Sequence, residues 1–221
     1  MFKINTFSAF EPVHFNRFCS NLHHHDNGIS NLQEKQMTSV LDDNVFNLAV
    51  KGTFDDCQHM MKSIFADVAF KAEHKLGAVN SVNWCRVLAQ IVYYFWAGLK
   101  VMKETGSSTV RFSVPTGNFG NILAGYFAHR MGLPVDQLVL ATNENDILSR
   151  FFNTGVYARG DVYKSISPSM DIQVSSNFER LLFDLLDRDG ARVRTLMEEF
   201  RDSGQFSIDD TVLESAQFLF Y

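Results

Sequence analysis

The spacing of hydrophobic residues changes repeatedly along the chain from residue 45 onwards. In short runs every second residue is apolar, as at Val110, Phe112 and Val114, and this spacing predicts strands. In longer runs the apolar residues fall three or four positions apart, which predicts helices with one buried face. Alternation of this kind is typical of an α/β fold, a mostly parallel sheet with helices on both faces, and a helical C-terminal segment follows it here.

The pattern predicts approximate bounds for each element. Strands are predicted at residues 45–50, 77–80, 110–114 and 138–142. Helices are predicted at residues 54–70, 82–103, 122–131, 144–152, 192–201 and 210–220. Thr53 is expected to cap the first of these helices. Glu144 and Asp146 are expected to cap the helix that Gly155 ends.

The pattern also predicts how the elements pack. The strands between residues 45 and 152 are expected to form one sheet, with residues 110–114 as an internal strand. The long helix is expected to bury one apolar stripe, formed by residues 84, 88, 91, 95 and 99. The 21 phenylalanines suggest that some apolar surface packs against parts absent from this chain.

A glycine-containing loop lies between the strand at residues 110–114 and the next helix. This glycine loop consists of Gly117, Asn118, Phe119, Gly120 and Asn121. The first N–H groups of a helix have no internal acceptor, and the helix dipole favours negative charge near them. The glycines are expected to let the backbone approach a ligand closely and to take positive φ where the loop requires it. The loop therefore predicts an anion site that fits a phosphate group.

Two better-known phosphate-binding patterns do not occur at the glycine loop, whereas a plain structural turn is an alternative interpretation of it. The dinucleotide-binding pattern Gly-x-Gly-x-x-Gly is absent, because only the spacing of Gly117 and Gly120 is present, and no Gly-Lys-Ser/Thr occurs. A plain turn between a strand and a helix uses the same residue types. From the loop alone, a structural turn and an anion site are equally favoured.

Polar residues also cluster where the predicted strand at residues 77–80 meets the long helix. They are Asn80, Ser81, Asn83 and Arg86. Amide, hydroxyl and guanidinium groups at such a junction are able to face the same crevice as the glycine loop, and an arginine suits a phosphate or carboxylate. The alternative is that Ser81 or Asn83 caps the helix and that Arg86 is exposed.

Other polar residues are predicted to have structural roles. The acidic pairs at residues 42–43 and 55–56 are expected in turns and caps, because adjacent side chains on a helix or strand point apart. Residues 175–177 are expected to form a helix N-cap, with Glu179 closing a capping box. The histidines at residues 23–25 are interpreted as a solvated triplet, so no metal is predicted.

The composition narrows the possible partners and location. The chain of 221 residues has a net charge of −5 and no run of basic residues, which argues against nucleic acid as a partner. The three cysteines show neither zinc nor disulfide spacing, so a reducing, cytoplasmic location is expected. The longest apolar segment, residues 87–99, is shorter than the roughly 20 residues that a membrane span needs, so no membrane partner is predicted.

Residues 114–121, Val-Pro-Thr-Gly-Asn-Phe-Gly-Asn, strongly resemble the cofactor-phosphate loop of the threonine synthase family, pyridoxal-phosphate enzymes of fold type II. Other stretches resemble this family in the same order and at roughly the same spacing: residues 36–45, 52–58, 80–84, 141–146 and 167–180. The resemblance begins near Gly28. It divides the chain into an unmatched segment, residues 1–27, and a partial pyridoxal-phosphate-binding domain, residues 28–221.

The resemblance implies a lyase of threonine biosynthesis, which converts O-phospho-L-homoserine and water into L-threonine and phosphate. Pyridoxal 5'-phosphate is the implied cofactor. The resemblance also implies that the residues of the glycine loop bind the phosphate of this cofactor, and that the junction residues Asn80, Ser81, Asn83 and Arg86 contribute to the substrate pocket.

The lysine that forms the Schiff base in this family lies in a Phe-Lys-Asp context, in a region without a counterpart here. The nearest match is Phe70-Lys71, but Ala72 replaces the aspartate, and Lys71 is expected on the solvated face or end of a helix. The resemblance therefore implies an internal fragment that is inactive by itself, with no catalytic residue assigned. The alternatives are a non-catalytic phosphate-binding, cofactor-binding or interaction module, and a truncated gene product without independent function.

Overall fold

The structure, a computed structural model, describes residues 2–6, 17–22, 35, 38–39, 41, 45–50, 60–61, 63–78, 81–167 and 170–220. By its internal contacts the chain divides into two compact units, Met1–Asn83 and Trp84–Tyr221. The predicted boundary after residue 27 concerns family resemblance rather than packing, and it stays a prediction.

The first unit contains a four-stranded sheet with the strand order β3-β2-β1-β4. Its strands are β1 (Phe2–Thr6), β2 (Arg17–Leu22), β3 (Val45–Val50) and β4 (Leu76–Ala78). β2 and β3 are parallel, whereas β1 is antiparallel to both β2 and β4. The predicted strand at residues 45–50 is confirmed, and the next one begins one residue earlier than predicted.

A short helix, α1 (Val68–Glu73), precedes β4. Its N-cap is Asp67, whose side chain accepts a hydrogen bond from Phe70 N at 2.9 Å. The backbone of Asp67 is extended, so this residue begins a new helix instead of continuing the preceding turn. The predicted helix at residues 54–70 is therefore divided at Asp67. Thr53, the two acidic pairs and the histidines at residues 23–25 lie outside the described residues.

The second unit begins with a long helix, and strands and helices follow it. Its elements are α2 (Trp84–Thr105), β5 (Val110–Pro115), α3 (Gly120–Arg130), β6 (Val135–Ala141), α4 (Ile147–Thr154), β7 (Val156–Ala158), α5 (Phe178–Leu185), α6 (Gly190–Ser203), β8 (Gln205–Ser207) and α7 (Asp210–Gln217). β5 and β6 are parallel neighbours joined by α3, and β7 pairs antiparallel with β8. α4 ends at Gly155, whose φ of 73° confirms the predicted glycine terminator.

The α/β class and the helical C-terminal segment are confirmed. The strands between residues 45 and 152 do not form one sheet, however, because β3 and β4 lie in the mixed sheet of the first unit. β4 pairs with β1, which precedes the range in which the alternation begins, and hydrophobic spacing identifies strands without identifying their partners. Within the described residues β5 pairs with β6 alone, so its internal position stays a prediction.

The buried face of α2 agrees with the predicted stripe at Ile91 and differs from it at Trp84, Leu88 and Leu99. The buried residues of this helix are Val87, Ile91, Tyr94 and Gly98. Trp84, Leu88 and Leu99 of the predicted stripe are 43%, 53% and 56% exposed. The spacing predicts the period of a buried stripe, but α2 is apolar on more than one face, so packing decides its direction. At Gly98, for example, a Cβ would lie 3.3 Å from the methyl groups of Leu133.

The outer face of α2 is apolar and exposed, and Val92 and Trp96 also lie on it. An exposed apolar face agrees with the surplus of aromatic residues, and what packs against it stays a prediction. No helix in the described part of the chain is long and apolar enough to cross a membrane.

Aromatic side chains form the centre of the core of the second unit. Its buried aromatic residues include Phe119, Phe151, Phe152, Tyr157, Phe178, Phe200, Phe206 and Phe220. Phe119 stacks on Phe152 with ring centroids 6.1 Å apart and meets Phe178 edge to face at 5.6 Å. Such pairs contribute about 0.5–1.5 kcal/mol each beyond their buried area. Because Phe119 belongs to the glycine loop, this core anchors the loop.

Candidate functional site

β5 and β6 end side by side at one edge of their sheet. Pro115 is paired with Ala141, and Thr116 N donates a hydrogen bond to Ala141 O at 2.8 Å. The glycine loop therefore leaves β5 beside residues 142–146, which leave β6. Ligands of parallel sheets bind beyond the carboxyl ends of the strands. This edge of the sheet is the candidate site.

The glycine loop enters α3 at Phe119, the N-cap residue, which has φ 62° and ψ 0°. This left-handed conformation costs an L-residue about 1–2 kcal/mol. Neither Gly117 nor Gly120 has a positive φ. The positive φ of the loop is therefore taken by Phe119 and not by either of the two glycines that were expected to take it. The ring of Phe119 is only 1% exposed, and its burial in the aromatic core holds the strained backbone in place.

Gly117 permits a close approach of another segment. A Cβ at this position would lie 3.1 Å from Ile172 Cγ1 and 3.4 Å from Met170 Cα. Residues 170–177, the crossing segment, therefore pass directly over the start of the glycine loop. A larger residue at position 117 would push the two segments apart.

The backbone N–H groups of residues 117–121 have no acceptor among the described residues. Further into α3, Leu123 N donates to Phe119 O at 3.0 Å. Consecutive N–H groups at a helix N-terminus carry partial positive charge and suit an anion. If backbone carbonyls occupied all of these groups, the loop would be purely structural.

Ser176 and Asn177 of the crossing segment bind Asn118 of the glycine loop. Asn118 O accepts hydrogen bonds from Asn177 N at 3.1 Å and from Asn177 Nδ2 at 2.9 Å. Ser176 Oγ donates to Asn118 Oδ1 at 3.1 Å. Asn177 is the N-cap residue of α5, but its side chain makes no cap hydrogen bond. The predicted capping box with Glu179 is therefore wrong, because the glycine loop engages this side chain instead.

Tyr94 of α2 supports the other end of the glycine loop. Its hydroxyl donates to both Asn121 O and Asn121 Oδ1, each at 3.0 Å. Burial raises the pKa of Tyr94 well above its ordinary value, so the hydroxyl keeps the proton that it donates. Gly125, one turn further along α3, gives the ring its space, since a Cβ there would lie 2.7 Å from Tyr94 Cε1.

A second set of polar contacts orders the chain beyond β6. Asn143 Nδ2 donates to Asp171 Oδ1 and to Ser165 Oγ, both at 2.8 Å. Ser165 N donates to Asp171 Oδ2 at 3.0 Å. Burial alone would raise the pKa of Asp171, but the hydrogen bonds from Ser165 and Asn143 outweigh it and lower the pKa. Asp171 is thus an ionised acceptor that fastens the crossing segment to the end of β6.

Asn145 and Asp146 continue this ordered region. The buried Asn145 donates through Nδ2 to Tyr163 O at 2.8 Å and accepts from Tyr163 N at 2.9 Å. Asp146 is the N-cap residue of α4, as predicted, but its carboxylate makes no cap hydrogen bond and accepts from Arg150 Nε at 2.8 Å. Glu144, predicted to share the cap, is exposed.

The structure describes part of the predicted substrate-side cluster. Ser81 and Asn83 are half-buried at the end of the first unit, and Arg86 is exposed in the first turn of α2. Asn80 lies outside the described residues. Because Ser81 and Asn83 belong to the first unit and Arg86 to the second, their convergence on the glycine loop stays a prediction.

Neither Tyr94 nor Asn177 is predicted from the sequence as a partner of the glycine loop. Asn177 lies within residues 167–180, which carry part of the family resemblance, so that resemblance is a signal pointing to it. Tyr94 has no comparable signal, because one tyrosine in an apolar helix resembles its neighbours. In the described ranges no group of three or more His, Cys, Asp or Glu side chains is arranged to hold a metal ion.

The chain is similar in sequence to several threonine synthases, although no protein-family model matches it. The threonine synthase of Pseudomonas aeruginosa is 53% identical over 197 residues, which cover 89% of this chain and 42% of that protein. The threonine synthase of Saccharomyces cerevisiae is 49% identical over 198 residues, which cover 85% of this chain and 38% of that protein.

Solved structures show the same similarity. The pyridoxal-phosphate-bound threonine synthase from Brucella melitensis has a TM-score of 0.78 and 47% identity, covering 92% of this chain and 43% of that chain. The yeast threonine synthase also has a TM-score of 0.78 and 47% identity, covering 91% of this chain and 41% of that chain. The chain spans about two fifths of the length of the curated relatives that it matches. In both sequence and fold, this chain is a homologue of part of threonine synthase.

Proposed function

We propose that the glycine loop binds the phosphate group of pyridoxal 5'-phosphate and that the chain forms part of a threonine synthase. The proposal rests mainly on the N–H groups of residues 117–121, which lack acceptors among the described residues at the start of α3. A second support is the similarity to the Brucella melitensis threonine synthase, which is described as bound to pyridoxal phosphate.

The loop fits a phosphate group in its chemistry and in its shape. Its N–H groups and the dipole of α3 supply positive potential without a charged side chain. No residue from 117 to 121 is acidic, so no carboxylate of the loop itself would repel a phosphate. The absence of a side chain at Gly120 lets a ligand approach the backbone closely, whereas the space beside Gly117 is occupied by the crossing segment.

In this proposal the complete enzyme converts O-phospho-L-homoserine and water into L-threonine and phosphate in the cytoplasm. The bound cofactor supplies an electron sink for carbanion chemistry, while the protein binds and orients it. The glycine loop holds the cofactor phosphate, and Asn80, Ser81, Asn83 and Arg86 bind the substrate. Arg86 suits the phosphate or carboxylate of the substrate, because a guanidinium donates paired hydrogen bonds to either group.

No residue of this chain is proposed as the catalytic lysine. The lysine side chains that the structure describes are all exposed: Lys35, Lys71, Lys75, Lys100, Lys103 and Lys164. Lys71, the nearest match to the family context, lies on α1 with its Nζ 5.5 Å from the centre of the Phe65 ring. We therefore propose that the chain by itself binds the cofactor without catalysing the reaction.

A non-catalytic phosphate-binding or cofactor-binding module is the second candidate. It is supported by the same exposure of the described lysines and needs only the glycine loop. The reading frame upstream of the gene distinguishes the two candidates. A Phe-Lys-Asp segment encoded directly upstream would favour a split enzyme, and its absence would favour the module.

The variant Gly120→Val tests the anion site. Valine at the first position of α3 adds a branched side chain beside the N–H groups, and Gly120 has no positive φ that valine would have to adopt. We expect pyridoxal phosphate and inorganic phosphate to bind at least about tenfold more weakly, by calorimetry or phosphorus NMR, with a modest loss of stability.

Gly190→Val is the matched control for this variant. Gly190 is the first residue of α6, so the same change is made at the start of a different helix. We expect this control to bind phosphate as the wild-type chain does. Wild-type binding by Gly120→Val would refute the proposed site.

A further inference from the structure

Asn177 lies where the crossing segment meets the glycine loop, and it is 0% exposed. Its side-chain oxygen accepts a hydrogen bond from the guanidinium of Arg180. Because the oxygen faces Arg180, the Nδ2 group faces Asn118 O, to which it donates at 2.9 Å. Together with the bond from Asn177 N at 3.1 Å, this places two donors on one carbonyl of the glycine loop.

These contacts determine the direction of one peptide group. A trans peptide is planar, and its C=O and N–H bonds point in opposite directions. Asn118 O points toward Asn177, so the N–H of the same peptide, that of Phe119, points away from Asn177. Asn177 therefore controls the direction of a donor that it does not touch.

The same peptide group also sets the strained conformation of Phe119. Rotation of the peptide between Asn118 and Phe119 changes ψ of Asn118 and φ of Phe119 together. Phe119 has φ 62°, which an L-residue leaves when nothing holds it. The two hydrogen bonds to Asn118 O oppose that rotation, and the hydroxyl of Ser176, bound to Asn118 Oδ1 at 3.1 Å, opposes it at the side chain.

We propose that Asn177, assisted by Ser176, is a positioning residue that aims the Phe119 N–H at the bound phosphate. This inference rests on the proposed phosphate site of the glycine loop. Asn177 acts through the backbone of Asn118 and does not itself contact the ligand. Without it, the peptide between Asn118 and Phe119 turns over, and a carbonyl oxygen replaces an N–H group at the anion site.

Two near-isosteric variants test the inference. Asn177→Asp keeps an acceptor for Arg180 but places an oxygen against Asn118 O, and Asn177→Leu removes the donor without adding charge. Asn153→Asp is the control for the added charge, because Asn153 is exposed on α4 and donates within that helix to Ser149 O. Inorganic phosphate and pyridoxal phosphate are titrated against each chain, with thermal melting to verify that it folds.

We expect both Asn177 variants to bind inorganic phosphate at least about tenfold more weakly, and Asn153→Asp to stay within about twofold of wild type. The NMR coupling between the N–H and Hα protons of Phe119 is measured in the chains without ligand. It should depart from the value of the left-handed conformation only in the Asn177 variants. A merely structural role would change melting without changing this coupling. Ser176→Ala removes one hydroxyl and should weaken phosphate binding about two- to fourfold. This variant tests the inference if the Asn177 variants do not fold.

The possible failures are distinguishable. A wild-type chain that binds no phosphate would overturn the proposed site, and this inference with it. Phosphate binding within twofold of wild type in the folded Asn177 variants, or an unchanged Phe119 coupling, would overturn the inference alone. If only Ser176→Ala folds, wild-type phosphate affinity in that variant would overturn it.

Discussion

Replacing Gly125 with alanine should force α2 and α3 apart and weaken the support of the glycine loop. Gly125 is buried in α3, and an added Cβ would lie 2.7 Å from Tyr94 Cε1 and 2.9 Å from Tyr94 Cζ. Contacts this short require the ring to move. Because the hydroxyl of Tyr94 holds Asn121, a moving ring also disturbs the first turn of α3.

The expected magnitude combines opposing contributions. In a helix interior, alanine is favoured over glycine by about 1 kcal/mol. Overpacking of a close-packed site costs about 1–3 kcal/mol, and loss of the Tyr94 hydrogen bond costs about 1 kcal/mol more. The free energy of unfolding should therefore fall by about 1–3 kcal/mol. Phosphate binding should weaken as well, because Asn121 belongs to the glycine loop.

Urea unfolding measures this change, and Gly98→Ala is the matched control. Gly98 is buried in α2, but a Cβ there meets first the flexible methyl groups of Leu133, at 3.3 Å. The control should stay within about 1 kcal/mol of wild type. In a Tyr94→Ala background the clash with the ring is absent and Leu138 Cδ2, at 3.0 Å, is the remaining close contact, so Gly125→Ala should destabilise the chain less there. Equal destabilisation by Gly125→Ala in both backgrounds would refute the reasoning.

Two further predictions concern the lysines and the acid stability of the chain. Borohydride reduction of the chain with pyridoxal phosphate should label several exposed lysines sparsely, because none is expected within reach of the cofactor carbonyl; stoichiometric labelling of one lysine, with release of threonine from O-phosphohomoserine, would contradict this. At Asp184, burial alone would raise the carboxyl pKa, but the Tyr126 hydroxyl at 2.5 Å and the Arg130 guanidinium at 2.8 Å outweigh it and lower the pKa. A lowered folded pKa stabilises the fold above the unfolded value of about 4, and this contribution is lost as pH falls through the folded value. The unfolding free energy of Asp184→Asn should therefore fall less steeply with decreasing pH than that of wild type below about pH 4. A fall as steep as that of wild type would contradict this prediction.

The strand, loop and helix around the site are predictable from the sequence because their signals are local. Alternating apolar residues predict a strand at residues 110–114, and the structure has it at Val110–Pro115. Helical spacing predicts residues 122–131, and the helix spans Gly120–Arg130. Each signal arises within a few residues of the element that it predicts, so distant parts of the chain change it little.

The contacts that shape the loop are less predictable, because their partners are distant in sequence. Asn177 resembles an N-cap residue locally, but it binds Asn118, 59 positions earlier. The direction of the buried face of α2 depends likewise on which residues of β5 and α3 pack against it. Phe119 takes the left-handed conformation because the aromatic core holds its ring and Asn177 holds the preceding carbonyl, and no local pattern shows this.

The central claim is that the backbone N–H groups of the glycine loop bind a phosphate group. It is tested most directly by titrating the nitrogen-15-labelled chain with inorganic phosphate and with pyridoxal phosphate while the amide resonances are followed by NMR. The account predicts that both ligands shift the amides of residues 117–121 most, with saturation at one equivalent. The largest shifts at other residues, with the amides of residues 117–121 unchanged, would contradict it.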